Sequence, residues 1–210
     1  MIAKSSPGPY LIVFEGIDGS GKTTQSRRLA DHLIDKGSPV RCFREPSDSP
    51  WGKRIRKMAR EPGSLSPEAE LDLFVRDRRW NIRHHICPAL KEGQNVIQDR
   101  YFYSTAAYQG ARGFDYRRIL RDHRQFAPLP DLVLYIDVPV RTGLGRIARH
   151  RSRREELFEQ EHFLERVREI YRKLEDPALV TIDGIPGEAQ VFAGVLEAVA
   201  RALPTLVESR

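Results

Sequence analysis

The stretch Gly16-Ile17-Asp18-Gly19-Ser20-Gly21-Lys22-Thr23 fits G-x-x-x-x-G-K-[ST], and the apolar run from Tyr10 to Phe14 leads straight into it. Thr24 to Lys36, which follows, reads as a helix. Strand, glycine loop and helix in this order constrain the local fold severely. The glycines let successive backbone N–H groups turn inward around a polyphosphate, and the helix N-terminus adds a favourable potential for negative charge. In such a loop the lysine, Lys22, reaches the β- and γ-phosphates, and the hydroxyl of Thr23 holds Mg²⁺. The motif therefore predicts a site for a nucleoside triphosphate.

Composition fits a single soluble domain spanning 1–210. At 210 residues, 40 % hydrophobic and 30 % charged, the chain can bury a substantial core and does not resemble a disordered one. No apolar stretch approaches the ~20 residues of a membrane span, and MIAKSSPGPY lacks the apolar core of a signal peptide, so a cytoplasmic location is expected. Cys42 and Cys87 have no metal-type spacing, and their apolar neighbours predict reduced thiols in the core. The net charge of +6 raises nucleic-acid binding as a rival. The basic residues are scattered, however, apart from a cluster at Arg146, Arg149, Arg151, Arg153 and Arg154. Without an RNA-binding signature or an aromatic-interleaved basic stripe, neither nucleic acid nor membrane is the expected partner.

Strands and helices alternate along the chain. Val40 to Arg44, Asn95 to Gln98, Leu132 to Ile136 and Leu179 to Ile182 read as further strands. The third of these is an uninterrupted apolar run, as a buried parallel strand should be. Helical segments are predicted over about Pro67 to Glu92, Arg141 to Arg149, Glu161 to Glu175 and Gly187 to Leu203. The pattern predicts a doubly wound α/β fold, a five-stranded parallel sheet flanked by helices, with ligands at the carboxyl ends of its strands.

Several further groups fall at those ends. Asp99-Arg100-Tyr101 places an acid beside the metal region and a guanidinium beside a phosphate, although an Asp at a strand end can equally cap the next helix. Arg44-Glu45-Pro46 closes the second strand in the same way, with a surface salt bridge before a turn as the plain alternative. Phe74 and Arg78, four residues apart, share a helix face and suit a nucleobase, one by stacking and the other by hydrogen bonding. Tyr108-Gln109 offers a ring and an amide next to a glycine.

Taken together, FEGIDGSGKTT, REP at 44–46, F-x-x-x-R at 74–78, PALKEG at 88–93, DRY at 99–101, S-x-x-AYQG at 104–110, LYIDVP at 134–139 and FEQE at 158–161 resemble the thymidylate kinase family, in the family's order and over nearly the whole chain. The resemblance implies transfer of the ATP γ-phosphoryl group to the 5′-phosphate of dTMP, with Mg²⁺. It implies that the loop from Gly16 to Thr24, namely Gly16, Ile17, Asp18, Gly19, Ser20, Gly21, Lys22, Thr23 and Thr24, holds ATP. Asp18 would lie beside the acceptor sugar and the metal region. Arg44 and Arg100 would grip the acceptor phosphate, with Ser104 nearby, and Asp99 would organise Mg²⁺ together with Thr23. Phe74 would stack on thymine, Arg78 would bond its carbonyl, Tyr108 would sit under the deoxyribose, and Gln109 would help to bind the base.

The same resemblance makes 146–159 a short basic lid over ATP. Because the phosphate loop has Gly19-Ser20 and no arginine, the lid would supply the transition-state guanidinium, with Arg149, Arg151, Arg153 and Arg154 as candidates and Arg149 and Arg153 taken as catalytic. The family is typically a homodimer, and the long helix near 71–90 carries apolar residues on more than one face. Two motifs depart from the family: Ser47-Asp48-Ser49 replaces Gly-Gly-Thr after REP, and Leu157 replaces the arginine of Asp-Arg-Phe-Glu. These departures keep two alternatives open, a different deoxynucleoside monophosphate as acceptor and a catalytically weakened nucleotide-binding homologue.

Overall fold

A computed structural model describes residues 8–59, 65–147 and 154–207. Its five strands are β1 (Leu11–Glu15), β2 (Val40–Arg44), β3 (Asn95–Asp99), β4 (Leu132–Asp137) and β5 (Leu179–Asp183). All pair in parallel, in the order β2-β3-β1-β4-β5. The helices are α1 (Lys22–Asp35), α2 (Pro50–Met58), α3 (Pro67–Asn81), α4 (Cys87–Lys91), α5 (Phe102–Gly110), α6 (Tyr116–Arg124), α7 (Val140–Ile147), α8 (Arg154–Arg172), α9 (Glu188–Ala202) and α10 (Pro204–Val207).

The period of two along the strands sorts the core into two layers. Leu11, Val13, Val96, Val133 and Tyr135 face a layer built with α5, α6 and α8. Ile12, Phe14, Ile97, Leu134 and Ile136 face the other, which is closed by α1 and α9. The predicted α/β architecture is thus what the chain adopts. With β1 central, the chain crosses from it to β2 on one side and later from β3 to β4 on the other, so the carboxyl end of β1 is the topological switch point where such sheets bind ligands.

Several boundaries differ from the sequence-based expectation. α1 begins at Lys22 rather than Thr24, because Gly21 takes φ 96° as its N-cap and lets the helix start on the lysine itself. The predicted helix over 67–92 is interrupted by a π-helical turn at Ile82–Ile86. Pro88 has no N–H to give to the carbonyl four residues back, and the wider turn accommodates its ring. α2, α5 and α6 were not anticipated. The predicted helix over 141–149 is described as far as Ile147, and α8 starts seven residues before the expected Glu161. Cys42 is corrected outright: β2 is an edge strand, and the thiol is exposed rather than in the core, while Cys87 is half-buried. No helix among the described residues is long and apolar enough to cross a membrane.

One core residue carries a testable electrostatic cost. His123 in α6 is buried, its Nδ1 paired with the carbonyl of Ile119 at 2.7 Å and its Nε2 without a partner. Burial, helped by the positive charge of Arg78, pushes its pKa down to about 3. The unfolded chain, titrating near 6.5, therefore takes up a proton that the native state refuses between about pH 6.5 and pH 3. Stability is unaffected above that window and falls as the pH drops through it, by about 2 kcal/mol at pH 5. His123→Leu removes the loss, so thermal melts should show the variant gaining on the wild type as pH is lowered from 7 to 5. A pH-independent difference would mean that the native imidazole is solvated.

Candidate active site

The phosphate loop leaves β1 at Gly16 and delivers its backbone to the switch point. Gly19 adopts φ +77°, and a Cβ there would come within 2.1 Å of the carbonyl oxygen of Gly143 in α7. Loop and α7 thus meet backbone to backbone. Lys22 is buried, with Nζ donating to the Ile17 carbonyl at 3.2 Å and lying 3.6 Å from Asp18 Oδ1. Burial, reinforced by the charge of Arg100, brings its pKa down to about 8.

Across the loop stands the end of β3. The Thr23 hydroxyl donates to Asp99 Oδ2 at 2.5 Å, and Asp99 Oδ1 is buried with no hydrogen-bond partner. A hydroxyl and a carboxylate oxygen, the latter unmatched, are hard oxygen donors of the kind Mg²⁺ takes alongside phosphate oxygens and water. The residues present therefore fit that ion. Thr23 and Asp99 line a cleft of about 410 Å³ together with Ser26, Arg27 and Arg44, and Arg44 is exposed.

Arg100 follows at φ +68°, a left-handed backbone rare for a residue with a side chain. Three hydrogen bonds hold it there: its N–H donates to the Phe14 carbonyl (2.9 Å), its carbonyl accepts from Gln98 Nε2 (2.7 Å), and the next N–H, of Tyr101, donates to Glu15 (2.7 Å). Nη2 donates to Asp18 Oδ1 at 2.5 Å and to the Tyr108 hydroxyl at 3.3 Å, while Nη1 donates to Ser104 Oγ at 3.0 Å. The guanidinium beside Asp18 holds that carboxyl down near a pKa of about 2. Burial pushes the Tyr108 phenol up to about 12, so it stays neutral. Ser104 lies buried beneath Arg100.

The predicted base-reading residues come from two facing helices. Glu70, Phe74 and Arg78 form an i, i+4 stripe on α3, and Thr105 and Gln109 form one on α5. Arg78 donates to Thr105 Oγ1 at 3.0 Å, and Gln109 Nε2 donates to Glu70 Oε1 at 3.1 Å, so half-buried Phe74 sits between two interhelical bonds. Arg78 is only 1 % exposed and is ion-paired with Glu45 Oε2 at 2.5 Å. Its Nε, a donor, and Gln109 Oε1, an acceptor, are both buried without a partner.

Four residues reach the site that sequence reasoning did not assign to it. Arg146, grouped with the lid cluster, donates to the carbonyls of Ser20 (3.3 Å) and Gly184 (2.9 Å) and lines a second cleft of about 370 Å³ with Gly21, Thr24 and the turn Gly184–Glu188. Glu15 ends the apolar strand β1, where a carboxylate in a fully buried run was the available signal, whereas Glu45 follows the largely exposed β2 and carried no such signal. Asp77 explains the loop after REP. It accepts from Ser47 N (2.8 Å), Ser47 Oγ (2.5 Å) and Ser49 Oγ (2.6 Å), while Ser49 caps α2 through Gly52 N (2.9 Å). Arg149, Arg151 and Arg153 lie outside the described residues, as does the side chain of Arg154.

Asp77 is buried, and losing its carboxylate strands the amide of Ser47 and two hydroxyls. Asp77→Ala should therefore cost about 3 kcal/mol, read as a lower denaturation midpoint at constant m value. A loss under about 1 kcal/mol would mean that water replaces the anchor.

Comparison with known proteins agrees with this geometry. The family model described as Thymidylate kinase matches residues 14–193. The chain is 43 % identical over 173 residues to a thymidylate kinase of Desulfotalea psychrophila, covering 82 % of this chain and 85 % of the relative. It is 45 % identical over 183 residues to one of Xanthomonas campestris pv. campestris, covering 87 % and 79 %. With one of Akkermansia muciniphila the identity is 40 % over 197 residues, 94 % of each chain. A glycine loop at the sheet's switch point, an acid and an arginine closing β3, and a match of this extent make the chain a member of the thymidylate kinase family.

Proposed function

We propose that this chain is a dTMP kinase, a single kinase domain that transfers the γ-phosphoryl group of ATP to the 5′-phosphate of dTMP, giving dTDP and ADP. The observation that carries the reading is the joining of Lys22, Asp18 and Arg100 in one charged chain between the phosphate loop and the acceptor helices. Gly16, Ile17, Asp18, Gly19, Ser20, Gly21, Lys22, Thr23 and Thr24 hold the donor phosphates. The second cleft, beside Arg146, takes the donor's nucleoside. Arg44 and Arg100 hold the acceptor phosphate in line with the γ-phosphorus, and Tyr108 sits under the sugar. An acceptor phosphate oxygen forms the new bond to the γ-phosphorus as the bond to the ADP oxygen breaks. The chain's part is alignment and neutralisation of charge, without a covalent intermediate.

The base pocket favours a particular chemistry. Flanking Phe74 are one unmatched donor, Arg78 Nε, and one unmatched acceptor, Gln109 Oε1. A pyrimidine with a carbonyl next to a ring N–H, as in thymine and uracil, complements that pair, whereas cytosine presents the opposite polarity. Mg²⁺ held by Thr23 and Asp99 would supply charge compensation across the donor phosphates. The lid residues Arg149 and Arg153 remain the candidates for the transition-state guanidinium. The protein acts in the cytoplasm as a homodimer, through a face that includes α3, where the ring of half-buried Trp80 lies tilted against that of His84 at 4.6 Å.

Mg·ATP with each of dTMP, dUMP, dCMP and dGMP tests the reaction. ADP formation should be dominated by dTMP, and Lys22→Ala or Arg100→Ala should each lower kcat/KM by about 10²–10³. Preferred turnover of dCMP or dGMP would overturn the pocket reading, and a near-wild-type rate in either variant would overturn that residue's role. Light scattering at micromolar concentration should give twice the chain mass; a monomer would refute the dimer.

A further inference from the structure

Glu15 takes no direct part in the reaction proposed above, yet its carboxylate is among the most densely bonded in the molecule. It closes β1 with no exposed surface. Oε1 accepts from the backbone N–H of Tyr101 at 2.7 Å and of Ser104 at 3.2 Å. Oε2 accepts from Ser104 Oγ at 2.5 Å and from the Tyr171 hydroxyl at 2.8 Å. α5 has no side-chain cap of its own, and from the end of β1 Glu15 accepts the N–H of its N-cap residue, Tyr101, and that of Ser104 in its first turn.

Ser104 connects this carboxylate to the site. Its hydroxyl has one proton, which goes to Glu15, so its lone pairs are left to accept Arg100 Nη1 at 3.0 Å. The guanidinium is consequently held along two edges by supports that differ in kind. Nη2 is held by Asp18, whose side chain is 55 % exposed. Nη1 is held by Ser104 backed by Glu15, both in the interior. A phosphate arriving from the cleft competes with the half-solvated Asp18 for Nη2 and has no access to Glu15. The same carboxylate, through the Tyr101 amide, fixes the peptide that follows the left-handed Arg100 backbone.

We infer that Glu15 is the positioning residue for Arg100, acting through Ser104 to keep the guanidinium in place while Asp18 yields its contact to the acceptor phosphate. This rests on the reading of Arg100 as a ligand of that phosphate. Asp18 is then an exchangeable placeholder and Glu15 a permanent anchor. A role limited to capping α5 would loosen the whole acceptor site, whereas positioning of Arg100 acts on the phosphate end alone.

Calorimetric binding of dTMP and of thymidine, which lacks the phosphate, separates these roles in the wild type, Glu15→Gln and Arg100→Ala. In Glu15→Gln the ratio of thymidine Kd to dTMP Kd should fall by about tenfold or more, the loss of one charge-assisted hydrogen bond, with thymidine affinity within about threefold of wild type. Equal weakening of both ligands, or an unchanged ratio, overturns the proposal. Arg100→Ala isolates the underlying reading: an unchanged ratio there means that Arg100 does not hold the phosphate. A collapsed ratio in Arg100→Ala with an intact one in Glu15→Gln means that only the role of Glu15 fails. Should Glu15→Gln not fold, Ser104→Ala cuts the same connection while keeping the charge, and the same drop is expected. An unchanged ratio in Ser104→Ala would overturn the proposal as well.

Discussion

Charge taken out of water is costly unless opposite charge or hydrogen bonds meet it, and the carboxyl edge of this sheet is arranged around that fact. Glu15, Lys22, Glu45, Arg78 and Asp99 are all buried there, and the more exposed Asp18 and Arg100 are tied to each other. At or just past the ends of four strands stands a carboxylate that a helix distant in sequence satisfies: Glu15 of β1 with α5, Glu45 after β2 with α3, Asp99 of β3 with α1, and Asp137 of β4 with Arg168 and Arg172 of α8. A parallel sheet makes this possible, because all its carboxyl ends lie on one side. Where a group is left unmatched, as at Asp99 Oδ1, Arg78 Nε and Gln109 Oε1, the site has unspent capacity for a ligand.

What the sequence disclosed was governed by how local the signal is. The phosphate loop and the four following strands were legible because glycines at fixed spacing and uninterrupted apolar runs each have few structural solutions. α5 was not, since seven of its nine residues are buried, its polar Ser104, Thr105 and Gln109 among them, and no exposed face marks a helical period. α6 is the reverse: in YRRILRDHR only Ile119, Leu120 and His123 are buried. α2 carried a readable start, Ser49 as cap and Pro50 in the first turn, within a segment that draws attention as an altered motif instead. Cys42 was misplaced because alternation along a strand does not say whether the strand is central or at the edge.

The site divides along the same line. Lys22, Thr23, Asp99 and Arg100 stand in motifs whose chemistry explains their identity. Glu15, Asp77 and Arg146 act on residues distant in sequence, 86 positions away in the case of Tyr101, and no local pattern encodes that pairing. The replacement of Gly-Gly-Thr by Ser47-Asp48-Ser49 looks in sequence like a loss of flexibility at a substrate loop. In the structure the serines bond to Asp77 on α3, one residue before Arg78, which itself holds Glu45. The loop after β2 and α3 are therefore tied together by these bonds.

The exposed edge of β2 has a consequence of a different kind. An edge strand offers unpaired backbone groups to any other chain with a free edge, and proteins commonly discourage such pairing with charged side chains. β2 carries Arg41 and Arg44 on its exposed positions, on either side of Cys42. Arg44, assigned to the acceptor phosphate, therefore also guards the sheet against adding a foreign strand. Neutralising it would therefore lower solubility, quite apart from the phosphate-binding role proposed for it.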